Sequence, residues 1–155
     1  MYFIGYGKTS QRVAKQLFET GHQITTISRS EKTDPYGTHL IQDIFTLDLS
    51  EIAPVDVVYI LLSPDDSTVQ GYHHTYVDSI EPIRQALKSH PVKRLIVVSS
   101  TRVYGENSGE KIDDDSQIHR MMLKAIFFII WNAMAEILSS SMCDCTSHRN
   151  LWCFG

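Results

Sequence analysis

Tyr2-Phe3-Ile4-Gly5-Tyr6-Gly7-Lys8-Thr9-Ser10 sets three large apolar residues before a turn with glycines at 5 and 7, and the turn runs into a polar stretch. The apolar triplet predicts a buried strand and the turn predicts the start of a helix. Val13, Ala14, Leu17 and Phe18 fall on one helical face, with Arg12, Lys15, Gln16 and Glu19 elsewhere. The helix is expected to end at Gly21, and a second strand, Gln23 to Ser28, delivers Arg29. Strand, glycine turn, helix and strand at these offsets build a pocket for the diphosphate of a dinucleotide. Gly5 permits the tight turn, and Gly7 lets a diphosphate approach the backbone. Amide groups from Tyr6 through Lys8, Thr9 and Ser10 then face the anion without intrahelical partners, and the helix dipole adds to the attraction. Ser10 stands where the fingerprint has its third glycine. Serine is small enough for helix–strand packing, and its hydroxyl can cap the helix or touch phosphate.

The end of the second strand selects the cofactor. An acidic residue there binds a free ribose 2′-hydroxyl, whereas an arginine holds a 2′-phosphate. This chain has Ser28-Arg29-Ser30, which favours NADP over NAD; the alternative is a solvated surface arginine. His39 to Asp43 reads as a short third strand. Asp43 at its end either meets an adenine amino group or caps the following turn. Phe45 to Ile52 reads as a turn or partial helix. Val55 to Leu62 is a near-continuous apolar run, as in a strand covered on both faces of a parallel sheet. Ligands of such sheets bind beyond the carboxyl ends of the strands, so Leu62, Ser63 and Pro64, with Asp65 and Asp66, belong to the expected site. Tyr72 to Ser89 predicts a helix with Tyr76, Val77, Ile80, Ile83, Ala86 and Leu87 on its apolar side, and Pro82 either kinks it or resets its start. His73 and His74 are read as exposed residues on different helix faces, without metal-ligand spacing. Arg94 to Thr101 is the fifth strand. The expected fold is α/β: a doubly wound, Rossmann-like parallel sheet of about five strands in the order 3-2-1-4-5, closed by a C-terminal helix.

At 155 residues and a net charge of −4, the chain has the size of one domain and no basic surplus for nucleic acid. Met1 leads straight into the first strand, so no signal peptide is expected. Cysteine is absent before Cys143, which fits a reducing, cytoplasmic setting.

Ser99-Ser100-Thr101-Arg102-Val103-Tyr104-Gly105, taken with the glycine turn, resembles the NAD(P)-dependent epimerase/dehydratase family, atypical members of the extended short-chain dehydrogenases/reductases. The resemblance covers roughly residues 1–118. It implies that Ser100 takes the family's catalytic Ser/Thr position, with Thr101 beside it, and that full-length relatives act on sugar-nucleotide-like substrates. The acidic run Asp113-Asp114-Asp115 lies in the acidic loop that follows the family's motif; it reads as solvated, with a cation site as the alternative. Two departures stand out. One residue separates the first two fingerprint glycines, where the extended family usually has two. The family's Tyr-x-x-x-Lys pair, which handles the proton, is missing, since no tyrosine follows Tyr104.

Residues 119–155 change character. From residue 118 onward lie all three cysteines, both tryptophans and four of the five methionines, without a proline. A reading-frame shift near His119 is the hypothesis for the break, and resequencing across that codon tests it. The boundary is therefore set at 118, with an NAD(P)-binding domain before it and an apolar, cysteine-bearing tail after it, helical over 120–138. The apolar run from 125 to 138 is too short to span a bilayer, and Asn132 and Glu136 interrupt it. It predicts a helix covering the sheet or joining two copies of the chain. Cys143, Cys145, His148 and Cys153 fit no familiar zinc module. The expected function is nicotinamide dinucleotide binding, by a truncated relative of nucleotide-sugar epimerases, dehydratases and reductases with incomplete catalytic machinery. The alternatives are a non-catalytic NADP-binding sensor or interaction module, or a fragment without independent activity.

Overall fold

A computed structural model describes residues 1–98, together with Gly109, Lys111 and Asn132. Five parallel strands form one sheet: β1 (Tyr2–Ile4), β2 (Thr25–Ser28), β3 (Thr38–Ile41), β4 (Val57–Leu61) and β5 (Arg94–Val98). Their spatial order is β3-β2-β1-β4-β5, as the sequence predicts. β1 is the central strand. Ile4 pairs with Ile27 on one side and Ile60 on the other. Tyr2, Phe3 and Ile4 are fully buried, which explains why this strand carries no polar residue.

Alternation along the strands divides the core in two. Tyr2, Ile4, Val58 and Ile60 face helix α3 (Ile80–Leu87) and pack with its Ile83 and Leu87. Phe3 turns the other way, with Tyr59 and Leu61, towards Ala14 and Leu17 of helix α1 (Lys8–Glu19). The Phe3 and Tyr59 rings stack at a 4.5 Å centroid distance. Phe18, expected on the buried face of α1, is instead 46% exposed and leans on Tyr36. The buried face of α1 is narrower than the apolar pattern suggests, with Ala14 at its centre and Val13 and Leu17 only partly buried.

Helix α1 ends as its glycine predicts. Gly21 adopts φ +85°, its N–H donates to the Phe18 carbonyl, and the His22 N–H donates to the Leu17 carbonyl. The strands are shorter at their edges than the sequence suggests: β2 starts at Thr25 rather than Gln23, β3 ends at Ile41 rather than Asp43, and β4 occupies 57–61 rather than 55–62.

The single helix expected over Tyr72–Ser89 is three pieces. Helix α2 (Val69–His73) runs into a wide π turn (His74–Asp78), and α3 follows. Pro82 falls in the first turn of α3, where a missing N–H costs least. The widened turn sits just upstream, where the carbonyl that Pro82 cannot satisfy would lie. The Ser79 hydroxyl donates to the Thr75 carbonyl across this turn. Among the described residues no helix is long and apolar enough to cross a membrane. Ser99 to Thr101, the acidic loop apart from Gly109 and Lys111, the expected helix over 120–138 apart from Asn132, and the four zinc-type residues lie outside the described residues.

Candidate functional site

The carboxyl ends of β1, β2 and β4 surround a cavity of about 350 Å³. Its floor is the Gly5-Tyr6-Gly7 turn, at the point where the sheet changes winding direction between β1 and β4.

The two glycines have different reasons to be there. Gly5 adopts φ +89°, and a Cβ on it would lie 2.2 Å from the Leu61 carbonyl oxygen. The fold itself therefore demands glycine at 5. Gly7 has φ −97° and ψ −169°, open to any residue, and a Cβ on it would meet no atom of the described residues within 4 Å. Among the described residues nothing requires glycine at 7, which lines the cavity without a side chain.

Tyr6 lies beneath the turn. Its ring is buried, and its hydroxyl donates to Asp34 Oδ1 at 2.9 Å. Burial first, then the Asp34 carboxylate, push the Tyr6 phenol well above its ordinary pKa. Its side chain is thus a tie to the 29–37 loop, and only its backbone is free to serve a ligand. The same loop is held by His39, whose Nε2 lies 2.8 Å from the Asp34 carbonyl and whose Nδ1 meets the Thr26 hydroxyl. Ser10 takes the packing role, the first of the two read for it. It is buried, and its hydroxyl donates to the Gly5 carbonyl at 2.7 Å, so it closes the turn rather than facing phosphate. Lys8 and Thr9 are exposed and, like Pro64, lie outside the lining of the cavity.

Ser28, Arg29 and Ser30 line one wall, and Leu62 and Ser63 line the wall opposite. The Ser28 hydroxyl donates to the Ser30 carbonyl and shapes the bend that presents Arg29. The Arg29 guanidinium reaches across to Asp65 in a two-pronged ion pair, Nη1–Oδ2 2.8 Å and Nη2–Oδ1 2.5 Å. The pairing holds the Asp65 carboxyl below the usual carboxylate range and raises Arg29 further. Asp43 also lines the cavity, and its Oδ1 accepts the Phe45 N–H at 2.9 Å, the capping role named as one of its two readings.

Sequence reasoning missed Lys32, Phe45 and His74 in this wall. Lys32 had a signal, a second cation three residues after Arg29. Phe45 and His74 had none, because the two are brought together only by the fold; their rings stack at 4.3 Å. His73 and His74 were expected on different helix faces, yet both sit against Asp78, at 3.2 and 3.1 Å. Across the widened turn each histidine's Nδ1 meets one oxygen of the Asp78 carboxyl. Among the described residues no three His, Cys, Asp or Glu side chains are arranged to hold a metal ion.

A family model described as NAD(P)H-binding matches residues 5–149. The chain belongs to that family. The match begins at Gly5, the first glycine of the turn, and extends beyond residue 118. The fold is also that of solved nucleotide-sugar enzymes. MoeE5, in complex with UDP-glucose and NAD, superposes with a TM-score of 0.67 at 17% identity, over 88% of this chain and 48% of that one. The UDP-glucuronic acid 4-epimerase from Bacillus cereus, in complex with NAD, gives 0.64 at 17% identity, over 90% and 53%. The UDP-N-acetylglucosamine 4-epimerase from Methanobrevibacter ruminantium gives 0.63 at 19% identity, over 90% and 51%. This chain spans about half the length of these structures. No curated protein matches it.

Proposed function

We propose that the crevice binds a nicotinamide dinucleotide, with the diphosphate over the Gly5-Tyr6-Gly7 turn, adenosine towards Arg29 and Asp43, and the nicotinamide towards Leu62 and Ser63. The observation that carries this reading is Gly7, a glycine that the fold does not need and an anion does. Arg29 and Lys32 at the end of β2 favour NADP over NAD. When bound, the coenzyme supplies hydride transfer at its nicotinamide. The chain's own residues bind and orient it. Ser100, with Thr101 beside it, is the candidate to hydrogen-bond a sugar-nucleotide substrate. Within these 155 residues the Tyr-x-x-x-Lys pair of the epimerases and dehydratases is missing, so the reading is cofactor binding with little or no turnover by these residues alone.

Titration with NADPH and NADH side by side, followed by coenzyme fluorescence, tests the proposal. NADPH is expected to bind more tightly. Gly7→Val is expected to abolish both affinities, and Arg29→Ala to weaken NADPH more than NADH. Equal loss of both coenzymes in Arg29→Ala refutes the NADP preference, and undiminished binding in Gly7→Val refutes the site.

A further inference from the structure

We propose that Asp65 sets how strongly this crevice prefers NADP over NAD, by competing with the coenzyme's 2′-phosphate for Arg29. The inference rests on the dinucleotide site proposed above and adds a residue from a different element to it. Arg29 follows β2 and Asp65 follows β4, and these strands flank β1 on opposite sides. The ion pair therefore passes over the carboxyl end of β1, where the glycine turn lies. Both Nη groups of Arg29 are engaged, one with each oxygen of Asp65. A phosphate can take that two-pronged edge of the guanidinium only by displacing the carboxylate.

Charge at this end of the cavity points the same way. Arg29 and Lys32 are balanced by Asp65 and Asp43, and Lys32 Nζ has the neutral Ser30 hydroxyl as its partner at 3.0 Å. Asp65 offsets part of the positive charge that a 2′-phosphate meets, and its removal leaves one more cation unbalanced. Both partners of the pair are well exposed to solvent, at 62% and 71% of the side-chain surface, so water screens it and it can open. A ribose with a free 2′-hydroxyl brings no anion and leaves the pair closed. The carboxylate that β2 lacks is then supplied from the β4 loop, and a carboxylate is the acceptor a 2′-hydroxyl takes. Both coenzymes carry the diphosphate, so its repulsion by Asp65 cancels in their ratio, and Asp65 lowers affinity for NADP(H) more than for NAD(H).

The test is the ratio of NADH to NADPH dissociation constants in the wild type, Asp65→Asn, Arg29→Ala and the double variant. Asp65→Asn keeps the size of the side chain at an exposed position and removes the charge. It is expected to raise the ratio of NADH to NADPH dissociation constants by about three- to fivefold, the upper end of what an exposed ion pair contributes. In the Arg29→Ala background the gain is expected to shrink below about twofold, because the competition has lost its object. A ratio unmoved by Asp65→Asn, with both coenzymes still binding, overturns this inference and leaves the dinucleotide site standing. Failure of both coenzymes to bind either the wild type or Asp65→Asn overturns both.

Discussion

Gly5→Ala and Gly7→Val separate what the fold needs from what a ligand needs. At Gly5 the backbone has φ +89°, which costs a non-glycine residue about 1–2 kcal/mol. The new Cβ would also sit 2.2 Å from the oxygen and 2.8 Å from the carbon of the Leu61 carbonyl. That carbonyl ends β4, which pairs with both β1 and β5, so it cannot move aside as a flexible side chain would. Overpacking of this kind adds about 1–3 kcal/mol. The sum, about 2–5 kcal/mol, is a large part of a typical stability and lowers Tm by about 10 °C in a domain of this size. At Gly7 the dihedrals are ordinary and the added side chain enters open space. The loss there is limited to a poorer helix N-cap, about 1 kcal/mol or less, hence a few degrees. The assay is thermal unfolding of the wild type and both variants, with and without NADPH. A ligand at a hundred times its Kd stabilises the wild type by about 2.7 kcal/mol. Gly7→Val is expected to melt near the wild type without coenzyme and to gain nothing from it. If Gly7→Val instead unfolds as early as Gly5→Ala, or gains the full increment with coenzyme, the assignment of the turn is wrong.

Three further outcomes are expected. Ile83→Ala removes a buried side chain between α3 and the β1–β4 face and should cost about 2–5 kcal/mol in urea unfolding without changing the slope. Glu81 is lowered to about 2, chiefly by the Arg84 guanidinium and then by Gln85. A depressed carboxyl stabilises the fold above its unfolded pKa and loses that contribution as pH falls from about 4.5 towards 2, so Glu81→Gln should show a shallower acid limb. Burial pushes Tyr76 up to about 12. Its contribution is complete below pH about 10 and is lost as pH rises towards 12, so Tyr76→Phe should flatten the alkaline limb. The same variant leaves the Leu62 carbonyl without its hydroxyl donor and should cost about 1 kcal/mol at neutral pH.

Most of the sheet could be read from one-dimensional pattern because each strand declares itself locally. Tyr2-Phe3-Ile4 and the run from Val57 to Leu61 are apolar enough to be interior strands, and the helices between them oblige the strands to run parallel. Ends were harder. Gln23 and Asp43 lie just beyond the pairing that defines β2 and β3, and pairing is a property of two strands together. The division of Tyr72–Ser89 into α2, the π turn and α3 was only half visible, since Pro82 marks a disturbance without saying that the backbone widens upstream of it.

At the site the same line separates the two kinds of knowledge. Sequence alone determined that a glycine turn joins a buried strand to a helix and that an arginine follows the second strand, because turn chemistry and hydrophobic period act over a few residues. Tertiary structure decided the rest: that Gly5 answers to Leu61, that the Ser10 and Tyr6 hydroxyls face inward, and that Arg29 is held by Asp65. Those partners stand 56, 5, 28 and 36 positions apart in the chain. The longer of these separations are closed only when the strands assemble, and no local pattern carries the charge or the steric wall that a distant strand brings.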